Sequence, residues 1–412
     1  MKSSHRERVP AAPLLDLKTL AVGLTGFCAF LPLYATQPLL PFFENLFHAS
    51  KTGVSLTVSA ATLAVALAAP FTGLIADRRG RKRVIVPSIC LLGAATLLTA
   101  TAPGLTALIF WRFLQGLLTP AVFAVAVAYI NEEWPRHEVG FATSVYVTGT
   151  VVGGFTGRFF SGWTAAHLGW RWAFVGLGLL TLLMAWAVAS WLPLAKQFQK
   201  VADTKTAFRN MADHLRNSGL QRVFAVGFVL LFSLVGTFTY VTFYLAEPPF
   251  NLGPSALGSL FFVYLIGAVI TPLVGRRVDR LNARLTLASA LSVSAAGILL
   301  TLVPSLPWVV AGIALCCSGV FVCQTLTNKM VGERAGKARA SAVGLYVAFY
   351  YLGGFAGSLI PGFLWGWGGW KACVGLLTGL LLITAAFAFM GLERNRGRGE
   401  LSARLPDPPV TP

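Results

Sequence analysis

The chain has 412 residues, of which 56% are hydrophobic and only 12% charged, and its mean hydropathy is +0.70. That composition excludes an ordinary soluble domain and indicates a polytopic membrane protein. The formal net charge of +18 would suggest nucleic acid on a soluble chain, but here it is spread over short turns between apolar runs. It reads as membrane topology facing anionic lipid headgroups, and nucleic acid is not expected as a partner.

From the N-terminus, a basic tail over 1–16 precedes apolar segments at 17–38, 54–76, 84–102, 107–130, 140–163 and 171–194, each long enough to span a bilayer as a helix. The first ends in "YATQPLLPFF" without a small-residue cleavage site, so it is kept as a span rather than a signal peptide. A basic linker over 195–221 follows. Six more segments lie at 222–246, 256–275, 285–304, 308–328, 341–363 and 371–392, before a tail over 393–412. The expected fold is therefore an all-α membrane protein of twelve transmembrane helices, divided into bundles at 17–194 and 222–392. The runs are continuously apolar, whereas the strands of a membrane β-barrel alternate.

Basic residues orient the spans. Lys51, Arg171 and Lys371 fall on one side and Arg112 and Arg158 inside spans, while every other lysine and arginine falls in the tails, the linker or the turns of the opposite side. Both termini are expected in the cytoplasm of a bacterial-type inner membrane. Cys28, Cys90, Cys316, Cys317, Cys323 and Cys373 all lie in apolar segments and are read as packing residues. His5, His48, His137, His167 and His214 are scattered through tails and turns without metal spacing, and neither a phosphate loop nor a nucleophile elbow appears. No metal, cofactor or enzymatic activity is expected.

An internal repeat organises the spans. "YVTGTVVGGFTGRFFSGW" from Tyr146 aligns without a gap on "YVAFYYLGGFAGSLIPGF" from Tyr346, an offset of 200 residues. Gly153, Gly154 and Gly157 thus match Gly353, Gly354 and Gly357, and these, with Gly149, are read as helix-packing positions. "GLIADRRGRKRV" has a weaker echo in "GRRVDRLNAR", where Gly275 and Asp279 keep the four-residue step of Gly73 and Asp77. Two parallel repeats related by an axis normal to the membrane suit a transporter whose substrate site lies between its halves.

These motifs resemble the major facilitator superfamily. Gly73, Asp77, Arg78, Gly80, Arg81 and Lys82 match its signature between the second and third spans, and Arg112, Gln115 and Gly116 match that of the fourth. The glycine run at Gly149, Gly153, Gly154 and Gly157 resembles the fifth-span signature of its antiporter branch, although Gly154 stands where proline is usual and Arg158 where a second glycine is expected. "YATQPLLPFF", "YINEEWP" and "GTFTYVTFYL" are similar to the drug and sugar efflux members.

The resemblance implies a monomeric secondary transporter that exports a small organic molecule by alternating access and is driven by protons. It also implies a gate at Gly73, Asp77, Arg78, Gly80 and Arg81, with Gly275 and Asp279 as a weaker counterpart. Asp77 is expected to face the start of the eleventh span, with Ser341 as its N-cap. Glycine in the first turn is expected where helices approach closely.

No acidic residue sits in the middle of a span, so Asp77, Glu132 and Glu133 are the proton-coupling candidates. Arg112 and Arg158 lie about 8 Å from the ends of their spans at 1.5 Å per residue, so snorkelling to the surface competes with a place in the cavity. Tyr34, Gln37, Arg112, Gln115, Arg158, Tyr240, Tyr244, Gln324 and Asn328 are the candidate substrate-binding residues, since aromatic and a few polar groups can hold amphipathic or sugar-like molecules. A cavity without carboxylates leaves one alternative open, an importer or exchanger of organic anions without proton antiport.

Overall fold

The computed structural model describes residues 16–135, 137–195, 204–275, 277, 282–335 and 339–391. The described residues form fourteen α-helices: α1 Leu17–Phe30, α2 Leu40–Phe47, α3 Lys51–Arg79, α4 Arg81–Thr99, α5 Leu105–Glu133, α6 Val139–His167, α7 Trp170–Trp191, α8 Thr204–Arg216, α9 Ser218–Ala246, α10 Pro254–Ser259, α11 Ile266–Gly275, α12 Ala283–Leu300, α13 Leu306–Arg334 and α14 Arg339–Gly391. No strand occurs among the described residues. Ten helical stretches are long and apolar enough to cross a membrane, and α1 is a shorter apolar helix. One of the ten, α14, is broken by non-helical backbone at Gly368 and Gly369 and contains two crossings, which completes the twelve expected.

Local chemistry sets several boundaries. The Asp16 carboxylate caps α1 by accepting from the Thr19 N–H at 2.8 Å; partial burial opposes its ionisation, but the hydrogen bonds from Thr19 hold its carboxyl below the ordinary value. Ser50, Asn217 and Asn282 cap α3, α9 and α12 in the same way. Gly80 separates α3 from α4 at φ +90°, a conformation that an L side chain rarely adopts. Conformation is its requirement, because a Cβ at Gly80 or Gly73 would meet nothing within 4 Å; the close approach expected at this turn is absent. The linker also holds more structure than expected, since it forms the separate helix α8 beside the start of α9.

The first span is not one helix. After α1 the chain turns through 31–36 into a short 3₁₀ segment, Gln37–Leu39, where Pro32 and Pro38 cannot donate backbone hydrogen bonds. The eighth crossing is likewise interrupted: the 3₁₀ segment Leu260–Leu265 joins α10 to α11.

The glycines of the repeat explain how each half packs. A Cβ on Gly149, Gly153 or Gly157 would collide with the carbonyl oxygens of Gly23, Phe27 and Leu31, so α6 and α1 touch backbone to backbone in matched four-residue steps. In the second half, Gly353 and Gly357 sit against the Phe228 and Phe232 carbonyls of α9 in the same manner. Gly154 and Gly354 depart from this role. The first faces Phe30 and the Arg158 guanidinium, and the second faces the side chains of Leu231 and Thr62.

Candidate functional site

The turns at Gly80 and Trp134, together with the starts of α1 and α9, define one end of the molecule, here called the basic end. There the Lys18 ammonium lies 3.7 Å over the Trp134 ring and donates to the Glu133 carbonyl at 2.9 Å. Arg81, largely buried, makes a two-point ion pair with Glu132, its Nε and Nη2 donating at 3.0 and 2.6 Å. Arg78 is exposed at the end of α3 and Gly275 ends α11. The Asp77 side chain and the whole of Asp279 lie outside the described residues. Ser341 is not a cap: α14 has already begun at Arg339, so Ser341 is its third residue.

Between the halves lies a cavity of about 290 Å³. Its walls come from α1 (Tyr34 just beyond its end), α5, α6, α9, the 3₁₀ segment with α11, α13 and α14. Six tyrosines, Tyr34, Tyr146, Tyr264, Tyr346, Tyr350 and Tyr351, dominate the lining beside Phe30, Phe123 and Phe321. Among the described residues Arg158 is the one charged group in this lining, and Gln324 and Asn328 are its amide side chains. The aromatics continue across the seam, where Phe123 stacks on Tyr351 with centroids 6.0 Å apart.

At the end opposite the basic one, bonds cross from half to half. Ser59 on α3 and Ser358 on α14 are hydrogen-bonded at 2.7 Å, and the Gln37 amide donates to Thr239 on α9 at 3.3 Å. Lys51 pairs with Glu247 at 3.1 Å and with Glu44 at 2.7 Å. Gly162 on α6 meets the Pro254 carbonyl and the backbone of Gly258 on α10 so closely that a Cβ has no room, and Phe155 packs on Phe262 at 4.5 Å.

The two buried arginines differ. Arg112 is fully enclosed and its guanidinium is used by its own half: Nε donates to Thr57 O at 3.1 Å, Nη1 to Pro32 O at 2.7 Å and also to Gln115, and Nη2 to Leu33 O. The broken first span supplies these acceptors, since the Gln37 N–H turns to Tyr34 O and leaves Leu33 O to the arginine. Arg158 is 1% exposed. Its Nε donates to Gln37 at 2.7 Å, Nη1 donates to Gly154 O at 2.8 Å, and its Cζ lies 4.4–4.9 Å from the ring centres of Tyr34, Phe261 and Tyr264. Neither arginine snorkels.

Of the nine expected substrate-binding residues, Tyr34, Arg158, Gln324 and Asn328 line the cavity. The other five lie outside that lining. Arg112 and Gln115 form an internal network in which the Gln115 amide donates to Thr99 at 2.8 Å. Gln37 stands behind Arg158, Tyr240 donates to the Ser358 carbonyl at 2.8 Å, and Tyr244 stacks on Trp370 at 5.7 Å. Sequence reasoning passed over Tyr264, Tyr350 and Tyr351; hydroxylated rings inside the apolar runs "FFVYLIG" and "VAFYYLGG" are the signal that could have found them.

Among the described residues no group of histidine, cysteine, aspartate and glutamate is arranged to hold a metal. The cysteines are free, and all are buried except Cys90, which faces outward.

Comparison with known proteins agrees with this architecture. The Major Facilitator Superfamily model matches residues 22–248 and 246–412. The inner membrane transport protein YnfM of Escherichia coli is 32% identical over 380 residues, covering 91% of this chain and 90% of YnfM. An uncharacterized transporter of Buchnera aphidicola is 32% identical over 372 residues, covering 90% of this chain and 89% of its own length. Among solved structures, a variant of the nucleoside transporter NupG superposes with a TM-score of 0.73 over 92% of this chain and all of its own, at 14% identity. The human organic anion transporter MFSD10 gives 0.70 over 90% of this chain and 99% of its own, at 19% identity. At these identities the two structures speak for the fold alone. With the duplicated bundles, the shared cavity and a family match over nearly the whole chain, this protein belongs to the Major Facilitator Superfamily and is a multi-pass membrane transporter.

Proposed function

We propose that this transporter exports a small amphipathic organic molecule across a bacterial-type inner membrane by alternating access, as a monomer coupled to protons, with both termini in the cytoplasm. The observation that carries the reading is where the described bonds between the halves lie relative to the central cavity. Among the described residues, the hydrogen bonds and ion pair between the halves gather at one end, at Ser59 to Ser358, Gln37 to Thr239 and Lys51 to Glu247, while the lining reaches toward the basic end through Tyr146, Tyr346 and Asn328. The positive-inside rule assigns that end to the cytoplasm, where an exporter loads.

Nine aromatic rings beside two amides suit a substrate with an apolar or sugar-like body and a few polar groups. Efflux draws support from a 27% identity over 177 residues to the multidrug export protein EmrB of Haemophilus influenzae, which covers 42% of this chain and 35% of that protein.

Proton coupling falls to the basic end, because the lining contains no carboxylate among the described residues. Protonation of Glu132 would weaken its ion pair with Arg81 and loosen α4 from α5 there. Glu133 beside it and Asp77 on α3 complete the candidate set, with Arg78, Gly80 and Arg81 as the gate turn and Gly275 and Asp279 as its counterpart. The absence of a lining carboxylate also favours a second reading, organic-anion exchange without proton antiport.

Dissipation of an imposed pH gradient in proteoliposomes, with sugars, amphipathic drugs and organic anions added in turn, tests the coupling. A substrate should collapse the gradient with the wild type and markedly less with Glu132→Gln. Counterflow of an anion with no proton movement would replace proton-coupled efflux with exchange.

A further inference from the structure

We infer that Arg158 is the anion-binding residue of the central cavity, and that the transported molecule is therefore an amphipathic organic oxyanion, a carboxylate or sulfonate on an aromatic or apolar body. The inference rests on the reading of this cavity as the substrate site.

A guanidinium at this depth is costly unless it is paired, by several kcal/mol. The two enclosed arginines meet that cost differently. Arg112 spends all three nitrogens on main-chain carbonyls and Gln115, and none is left over. Arg158 has two neutral acceptors, Gln37 and Gly154 O, and its Nη2 is buried with no hydrogen-bond partner among the described residues. Guanidinium groups carry five N–H donors in a planar fork that matches an oxyanion. The faces of Tyr34, Phe261 and Tyr264 offset part of the charge by cation–π attraction, but none of them carries a formal negative charge.

Among the described residues no aspartate or glutamate lines the cavity to complete the pairing. The charge is also dispensable for the architecture, because the second repeat holds Ser358 at the position equivalent to Arg158 and still packs Gly353 and Gly357 against α9. Finally, the wall opposite Arg158 is the 3₁₀ segment Leu260–Leu265, which carries Phe261 and Tyr264. Interruptions of this kind inside a helix often mark functional hinges. A ligand oxyanion supplies what the site lacks, and the surrounding rings receive its apolar body.

The test compares three probes of nearly equal shape, 2-naphthoate, 2-naphthalenesulfonate and neutral 2-naphthamide, on the purified full chain in detergent and on proteoliposomes. Titration calorimetry should show both anions binding the wild type at least about tenfold more tightly than the amide. Arg158→Gln should erase that preference, with a melting temperature close to that of the wild type showing that the fold is kept, and Arg158→Lys should restore part of it. Equal binding of anions and amide by the wild type, a preference that survives in Arg158→Gln, or no binding of any probe would overturn the inference. Charge-selective binding without counterflow would sink the transport reading and leave the anion site standing. Equal counterflow of acid and amide would do the reverse.

Discussion

Arg158 and Ser358 occupy equivalent places in the two repeats, each following a pair of glycines that press their helix onto the first helix of its own half. The seams they face have little else in common. On one, between α6 and the interrupted eighth crossing, a buried cation is held by aromatic faces and by Gln37. On the other, between α3 and α14, two serines share a 2.7 Å hydrogen bond. Duplication has preserved the backbone contacts inside each half and let the side chains between the halves diverge. The proposal made for Arg158 assigns recognition to the first seam, and the other is a close, neutral contact.

The largest expected effect tests the preserved part. Gly157→Val and Gly357→Val should both be severe, because any Cβ there strikes the Leu31 or Phe232 carbonyl and forces helices apart. Overpacking costs typically about 1–3 kcal/mol, and rigid backbone on the receiving side places these variants at the upper end. Thermal melting in detergent should fall by a similar amount for the two. A tolerated substitution in one half alone would break the equivalence of the repeats.

The divergent part predicts a smaller and unequal effect. Ser358→Ala removes one neutral hydrogen bond across the seam, about 1 kcal/mol, so transport should change by no more than roughly fivefold with all substrates alike. Substitution of Arg158 should instead act on anions selectively. If Ser358→Ala produced the charge-selective loss, the assignment of recognition to one seam would be wrong.

Much of this fold is legible in the residues themselves. Twelve apolar runs, basic turns on one side and the repeat from Tyr146 to Tyr346 specify the helices, their order and their pairing. The site is less legible. Arg112, Gln115 and Tyr240 carry the right chemistry on the right spans, yet each turns toward its own half, and a helix that is apolar on every face gives no periodicity to say which residue faces the seam.

Gln37 was legible as polar, but extrapolating a regular helix through Pro32 and Pro38 misplaces it. In the structure it stands behind Arg158 and bonds it to the other half through Thr239. Lys51 and Glu247 are separated by nearly half the chain, so only the closed end of the molecule reveals their pairing.

The central claim, that the halves must part at the Ser59 to Ser358 seam in every cycle, is tested most directly by a reversible cross-link there. Ser59→Cys and Ser358→Cys would be combined in a chain whose native cysteines are replaced, and counterflow would be measured before oxidation, after it and after reduction. The account predicts that the disulfide forms, stops transport and releases it again on reduction. Undiminished counterflow with the cross-link fully formed would contradict it.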